Sequence, residues 1–270
     1  MMKKIIFIVF ISLLFWSCED VIEVDLPSNK EKLSIDALIR IDNNLPSTTI
    51  KVKANLTSSF FDKIKPANLE KITISSEFND WEEELTEEAP GIYSKIVATD
   101  NLNQEEITLT ILYDAKIYIA KTTYVSSVPI DNLTQGEGTL FNDDETEIII
   151  SYTDNPNIEN FYLFDFNFGE FLVSEDTYYK GQPFEFSFFY DSALKVGQSV
   201  TINLLGVDKT FYNYMNQVIV QSGGNQGPFQ TPASTVRGNI ITISEENSEE
   251  NYALGYFALC ETFKKTITIE

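Results

Sequence analysis

The chain has 270 residues, of which 41 are acidic and 19 are basic, so its formal charge is −22. Apolar residues make up 43% of it, which is enough to bury a core and excludes wholesale disorder. The negative charge disfavours nucleic acid as a partner, because binding it requires a surface that neutralises phosphates. The absence of histidine excludes Ser-His-Asp and Cys-His catalysis, zinc sites that use histidine, and imidazole acid–base chemistry.

The N-terminus has the pattern of a secretory signal peptide. Lys3 and Lys4 form a short positive segment, and a run of 12 mostly apolar residues follows at 5–16. This run is too short to span a bilayer core but suits the apolar region of a signal peptide. The sequence therefore predicts a signal peptide at residues 1–17.

Cys18 stands where cleavage of this signal peptide is expected. Ser17 precedes it, and a small residue before cysteine is what a lipoprotein signal peptidase requires. We predict that Cys18 becomes the acylated N-terminus and that residues 18–32 form a lipidated tether, since two or more acyl chains anchor a protein stably. A plain secretory signal with an incidental cysteine is the alternative.

Acylation of Cys18 would leave Cys260 as the only thiol and would exclude an intramolecular disulfide. Cys260 ends the segment 252–260, whose pattern predicts it as a strand residue. We interpret it as a buried, inert thiol, because a nucleophilic cysteine would lack a histidine base.

Residues 33–128 predict an immunoglobulin-like or fibronectin-like β-sandwich. Apolar, β-branched and aromatic residues alternate with polar ones in short segments separated by Pro, Asn, Asp and Gly, which is typical of half-buried strands. About six or seven such strands in about 100 residues suit a sandwich of this kind. The predicted strands are 33–39, 49–56, 71–75, 92–97, 107–112 and 117–124.

Residues 129–270 predict a second β-rich domain with one helix. The helix is expected at 208–222, where Asp208 can cap its start, apolar residues recur at helical spacing, and two glycines follow its end. Polar segments separate the strands expected around it. These strands are 147–152, 161–169, 184–190, 240–243, 252–259 and 266–269.

Aromatic side chains concentrate between residues 161 and 190, which hold 13 of the 35 in the chain. Two strands each place aromatic residues on one face, opposite mostly polar positions, and we predict that they bury these rows and are neighbours in one sheet. The rows are Tyr162, Phe164, Phe166 and Phe168 in one strand and Phe184, Phe186, Phe188 and Tyr190 in the other. A stacking platform for sugars or an apolar ligand is the alternative. Tyr178, Tyr179 and Phe189 fall outside the rows, and we predict them as exposed partner-binding residues.

Acidic clusters at 82–88, 143–145 and 245–250 offer oxygen atoms to a calcium ion, as does the run Asp154–Asn157. None has the EF-hand spacing, so we interpret the clusters as solvated loops, interpret the Asp154 run as a turn, and predict no metal or cofactor. A pair of carboxylates could hydrolyse a glycoside, but the sequence selects no pair, and we predict that the protein is not an enzyme.

A loop at residues 227–239 contains two further candidates for partner binding, Phe229 and Arg237. Arg237 is the only arginine after residue 128. We interpret it first as a structural residue that holds this loop through a carboxylate or backbone carbonyls. Contact with a partner is the alternative.

Three segments carry a family resemblance, namely 18–27, 228–239 and 251–257. With them the chain resembles an uncharacterised family of Bacteroidota outer-membrane lipoproteins, a domain of unknown function often encoded beside TonB-dependent receptors. The resemblance implies a lipid-anchored accessory or ligand-capture protein for nutrient uptake, at the cell surface or the periplasmic face. A surface adhesion or envelope-structural lipoprotein and a glycan-active enzyme stay as alternatives.

Overall fold

A computed structural model describes residues 31–58, 62–78, 80–103, 106–191, 193–222, 234–243 and 252–270. It contains eighteen strands, and its one α-helix among these residues is α1, Lys209–Gln221. The strands are β1 Leu33–Ile41, β2 Ser47–Leu56, β3 Lys65–Pro66, β4 Lys71–Ser76, β5 Trp81–Glu84, β6 Thr86–Ala89, β7 Ile92–Ala98, β8 Ile107–Tyr113, β9 Lys116–Thr122, β10 Tyr124–Val125, β11 Ile130–Gln135, β12 Thr146–Thr153, β13 Phe161–Asp165, β14 Phe171–Glu175, β15 Pro183–Tyr190, β16 Ser199–Val207, β17 Ile241–Thr242 and β18 Leu254–Thr268.

The predicted class, mostly β with one helix, is confirmed. The six strands predicted before residue 128 correspond to β1, β2, β4, β7, β8 and β9. In β1 and β2 every second residue is buried, as the alternation of their side chains requires. The helix is also confirmed, because the Asp208 carboxylate accepts a hydrogen bond from the Phe211 amide at 2.8 Å and caps its start.

The strands form three sheets. The largest has ten strands, ordered β14-β13-β16-β18-β1-β2-β7-β6, with β10 beside β18 and β3 beside β2. A five-stranded sheet, β17-β9-β8-β4-β5, packs on its N-terminal part around a first core. The two faces meet as a sandwich, and this core also contains Phe257 and Leu259 from β18.

A second core lies between the three-stranded sheet β11-β12-β15 and the other end of the large sheet. It contains most of both aromatic rows, as predicted. The prediction is wrong for Phe168, which is 56% exposed because β13 ends at Asp165 and the chain turns there. The rows are not neighbours in one sheet, however, because β13 belongs to the large sheet and β15 to the small one. They face each other instead, so that the Phe166 and Phe188 rings stack at 3.7 Å.

Strand β13 is buried on both faces, where the sequence predicted one buried face and one polar face. Helix α1 explains the difference, since it packs on the outer face of the large sheet through Phe211. Leu163 therefore lies in a third apolar cluster, and the Asp165 carboxylate pairs with Arg40 at 2.5 Å.

The strands predicted at 252–259 and 266–269 are a single 15-residue strand, β18. Its first half pairs in parallel with β1, and its second half pairs antiparallel with β16. The mostly polar residues between the halves, 261–265, interrupt the apolar pattern of the sequence, but the pairing with both partners keeps them extended. The boundary predicted near residue 128 stays a prediction, while β18 joins strands from both sides of it and residues 31–270 form one compact unit.

Candidate functional site

Two of the predicted site residues, Cys18 and Phe229, lie outside the described residues. Acylation of Cys18 therefore stays a prediction. Cys260 is buried, as expected, and burial raises the pKa of its thiol far above the ordinary value. A thiol so protonated is a poor nucleophile at neutral pH.

Arg237 lies against the aromatic ring of Tyr252, with its guanidinium carbon 4.1 Å from the ring centroid. The ammonium nitrogen of Lys32 is 4.0 Å from the same centroid. These two cations favour the phenolate, so hydrogen bonding from Lys32, followed by that from Arg237, lowers the pKa of Tyr252. Arg237 therefore contacts an aromatic ring, whereas the sequence predicted a carboxylate or backbone carbonyls as its partners.

The segments around Arg237 and Tyr252 dock closely on each other. The Asn239 side chain donates to the Phe257 carbonyl at 2.8 Å and accepts from the Phe257 amide at 2.9 Å. Gly238 lies so close to the Gly255 carbonyl that a Cβ atom would overlap it. The described parts of two of the segments that carry the family resemblance, 234–239 and 252–257, are therefore in contact at the start of β18.

Tyr178 and Tyr179, predicted as exposed contacts, have opposite environments. The Tyr178 side chain is 93% exposed and remains a candidate. Tyr179 is buried in the second core, so the prediction of an exposed contact is wrong for this residue. Its ring stacks on Phe184 with centroids 4.3 Å apart, and its hydroxyl accepts a hydrogen bond from Tyr152 at 2.7 Å.

Phe189 is half-buried on the outer face of the three-stranded sheet, where it pairs with Glu147 of β12. It breaks the polar face of β15, as the sequence indicated. This position leaves part of its ring available for contact with a partner.

Sequence reasoning missed an apolar surface at one end of the second core, which we call the apolar loop end. It is formed by exposed residues of the loops before β12, after β13 and after β15, and Tyr190 at the end of β15 pairs with Thr146 at the start of β12. The Tyr190 ring contacts Phe168, and its hydroxyl donates to the Phe166 carbonyl at 2.5 Å. The exposed apolar residues at this end are Leu140, Phe141, Phe168 and Val196.

Phe168 has a strained backbone in this surface. Its φ is +53°, next to Asn167 at +69°, and its side chain is 56% exposed. A left-handed conformation costs a non-glycine residue about 1–2 kcal/mol, and such strain concentrates at functional sites. The sequence Asn167-Phe168-Gly169 was a usable signal, because asparagine and glycine favour such turns.

Two open concavities bring carboxylates together elsewhere on the described surface. One of about 370 Å³ contains Glu87 and Glu88, and one of about 320 Å³ contains Glu77 and Glu106. Glu106 accepts a hydrogen bond from Lys121 at 2.6 Å, so this carboxylate already has a counter-ion. The absence of enzymatic activity stays a prediction.

The acidic clusters differ in their surroundings. Contrary to the predicted loops, residues 82–84 lie in β5 and residues 87–88 in β6, while 245–250 fall outside the described ranges. In the cluster at 143–145, the Glu145 carboxylate accepts a hydrogen bond from the Leu140 amide at 2.5 Å and so stabilises the loop that contains both residues. Within the described ranges, no three His, Cys, Asp or Glu side chains are grouped to hold a metal ion.

Among the described residues, no helix combines the length and apolar character needed to cross a membrane.

The model of a protein family described as a domain of unknown function, DUF4249, matches residues 19–266. A search of the curated proteins finds no match to the chain.

Proposed function

The chain belongs to the DUF4249 family, and from its own residues we propose that it is an outer-membrane lipoprotein that assists a TonB-dependent nutrient receptor. In this proposal, acyl chains on Cys18 hold the protein at the membrane. The apolar loop end docks on the receptor. The protein acts through this contact and catalyses no reaction.

The sequence before the matched region supports the anchor, because Ser17 and Cys18 directly follow the apolar run at 5–16. The matched region begins at Glu19, directly after Cys18, so it leaves out the predicted signal peptide and the cysteine that would be acylated. Each buried methylene contributes about 0.8 kcal/mol, and two acyl chains therefore hold a protein stably. Confinement to the membrane plane also raises the effective concentration of the protein near a receptor in the same membrane.

Phe168 is the observation that carries the docking part of the proposal. Hydrophobic rings normally lie inside, yet this one stands in solvent on a backbone whose conformation disfavours phenylalanine. Its described ring contact is with Tyr190, with centroids 6.1 Å apart, and this contact leaves more than half of the side chain in solvent. An aromatic anchor that enters a pocket of a partner would offset the cost of this backbone conformation, since such residues dominate the energy of interfaces.

Charges around the apolar loop end indicate the chemistry of the partner surface. The three loops carry exposed carboxylates around the apolar residues, and the net charge of the whole chain is strongly negative. A complementary receptor surface is an apolar pocket bordered by lysine or arginine. The exposed acidic residues of these loops are Glu137, Asp143, Asp144, Glu170 and Asp191.

Affinity purification from detergent-solubilised membranes tests the docking. We expect the wild-type protein to recover a TonB-dependent receptor, identified by mass spectrometry. Phe168→Gly should reduce this recovery about tenfold or more, because it removes the aromatic anchor. Phe78→Ala is the matched control, since Phe78 is exposed in a different turn, after β4. Equal recovery with both variants, or no receptor with the wild type, overturns the proposal.

The same variant makes an independent prediction about stability. Phe168→Gly should raise the free energy of unfolding by about 0.5–1 kcal/mol, because relief of the left-handed strain exceeds the added entropy of the unfolded chain. Urea unfolding measures this change. A loss of stability would mean that the Phe168 ring contributes to folding through its contact with Tyr190.

The anchor makes a third prediction. Cys18→Ser should abolish incorporation of labelled palmitate and should move the protein from the membrane fraction to the soluble periplasmic fraction. Cys260→Ser is the matched control and should keep both the label and the membrane location, because Cys260 is buried in the folded protein. Label on the Cys18→Ser protein would contradict the predicted site of acylation.

A further inference from the structure

One end of the second core is polar, at the side opposite the apolar loop end. The Tyr152 hydroxyl donates to the Tyr179 hydroxyl, and the Tyr179 hydroxyl also bonds the Ser174 hydroxyl, both at 2.7 Å. The Tyr162 hydroxyl donates to the Asp154 carboxylate at 2.5 Å. The pKa values of Tyr152 and Tyr162 are raised, mainly because the two phenols are buried, so both stay protonated.

Two carboxylates are buried at this polar end. Asp154 is 3% exposed and Asp176 is 2% exposed. The other Asp154 oxygen accepts the Gly181 amide at 2.8 Å, and Asp176 accepts the Asn160 amide at 2.9 Å. All these donors are neutral, and the ion pairs found within the described ranges involve other carboxylates. Burial of two such charges without a counter-ion is strongly unfavourable.

Asn160 provides a second and independent observation. Its side-chain oxygen is buried, has no hydrogen-bond partner, and belongs to a residue that is only 5% exposed. Buried polar atoms are almost always bonded, so this atom requires an explanation. A free buried acceptor in a residue whose backbone amide bonds the Asp176 carboxylate suits a cation.

The register places Asn160 beside both carboxylates. The Asp176 amide donates to the Asn160 carbonyl at 3.2 Å, which continues the β13–β14 ladder by one pair. Since side chains alternate along a strand, Asn160 lies on the same face as Tyr162, in the second core. The Asp154 and Asp176 charges both raise the pKa of Tyr162, which places the two carboxylates near one phenol.

We propose that Asp154, Asp176 and the Asn160 side-chain oxygen bind a hard divalent cation of the calcium type at this end of the second core. Calcium takes six to eight oxygen ligands in flexible geometry, and carboxylate, amide and hydroxyl oxygens are its usual ligands in proteins. The cation would neutralise both buried charges and would satisfy the free amide oxygen. The site is separate from the apolar loop end and does not depend on the docking proposal.

The sequence pattern Asp154–Asn157 combines two roles. The Asn155 side chain accepts the Asn157 amide at 3.0 Å, which is the turn expected from sequence. Asp154 instead lies inside the protein, where the predicted turn had no need of a carboxylate. Because Asp154 and Asn155 differ in this way, the sequence of residues 154–157 suggests calcium binding without specifying a set of ligands.

Thermal unfolding of the detergent-purified full chain tests the site. After treatment with a chelator, CaCl₂ should raise the Tm by about 5 °C or more, because the cation binds the folded state. Asp176→Asn should abolish most of this shift, and Asn160→Ala should weaken calcium binding measured by calorimetry. Asp143→Asn, in the exposed acidic loop, is the control and should keep the full shift.

Terbium luminescence gives a readout that stability alone does not affect. Tb³⁺ replaces calcium in oxygen sites and emits when a nearby tyrosine is excited. Three tyrosine rings in mutual contact, Tyr152, Tyr162 and Tyr179, lie at this end of the second core. We expect sensitised emission that CaCl₂ displaces and that Asp176→Asn removes. An equal Tm shift with NaCl at the same ionic strength, an unchanged shift in Asp176→Asn, or the absence of tyrosine-sensitised emission overturns the proposal.

Discussion

Replacement of Gly255 by alanine is expected to lower the free energy of unfolding by about 4 kcal/mol. Gly255 has a φ of +95°, and a Cβ atom added there would overlap the backbone carbonyl of Ile35. Ile35 belongs to β1, which pairs in parallel with the first half of β18 from Ser34 to Ile41. The backbone of β1 cannot retreat without loss of this pairing and of the first core beneath it.

Gly169→Ala separates the two causes of this effect. Gly169 has a similar φ, +87°, but a Cβ atom there would meet no heavy atom within 4 Å. We expect a loss of about 1–2 kcal/mol from the backbone strain alone. Equilibrium urea unfolding of both variants gives the two free energies. Equal losses would show that overlap with Ile35 is relieved at no cost, in contradiction to the rigid β1–β18 pairing.

Phe164→Ala should destabilise the second core by about 4 kcal/mol, the usual cost when a buried phenylalanine is removed from a packed site. The Phe164 ring is fully buried and contacts the rings of Tyr152, Phe166 and Phe186. These neighbours come from both sheets, so neither sheet can move to fill the cavity without disturbing the other.

Phe168→Ala is the control for this prediction, because it removes the same type of side chain four positions further along. The Phe168 ring is exposed, and its loss should cost less than about 1 kcal/mol. Urea unfolding compares the two variants. A cost near 1 kcal/mol for Phe164→Ala as well would mean that the aromatic core is loosely packed and collapses around the missing ring.

Local patterns were sufficient to predict most strands and the helix. Alternation in β1 and β2 and the cap at Asp208 depend on residues within one element. The division of β18 into two strands failed for a related reason. Its mostly polar middle, 261–265, interrupts the apolar pattern, and only the partners β1 and β16 make it part of one strand.

The candidate sites were predicted less completely. Tyr178 and Tyr179 are adjacent in sequence, and nothing local distinguishes the exposed ring from the buried one. The exposure of Phe168 had a local signal in its asparagine and glycine neighbours. The buried environment of Asp154 had none, because the atoms that enclose it come from loops about 25 residues apart.

By itself, the sequence determined the β class, the position of the helix and the burial of the aromatic rows apart from Phe168, since side-chain periodicity and capping are properties of neighbouring residues. Only the tertiary structure decided that the rows face each other across two sheets, that β18 joins the two halves of the large sheet, and that Arg40 pairs with Asp165. These features depend on contacts between residues far apart in the chain, such as Arg40 and Asp165 at a separation of 125 positions. No local sequence pattern records such contacts.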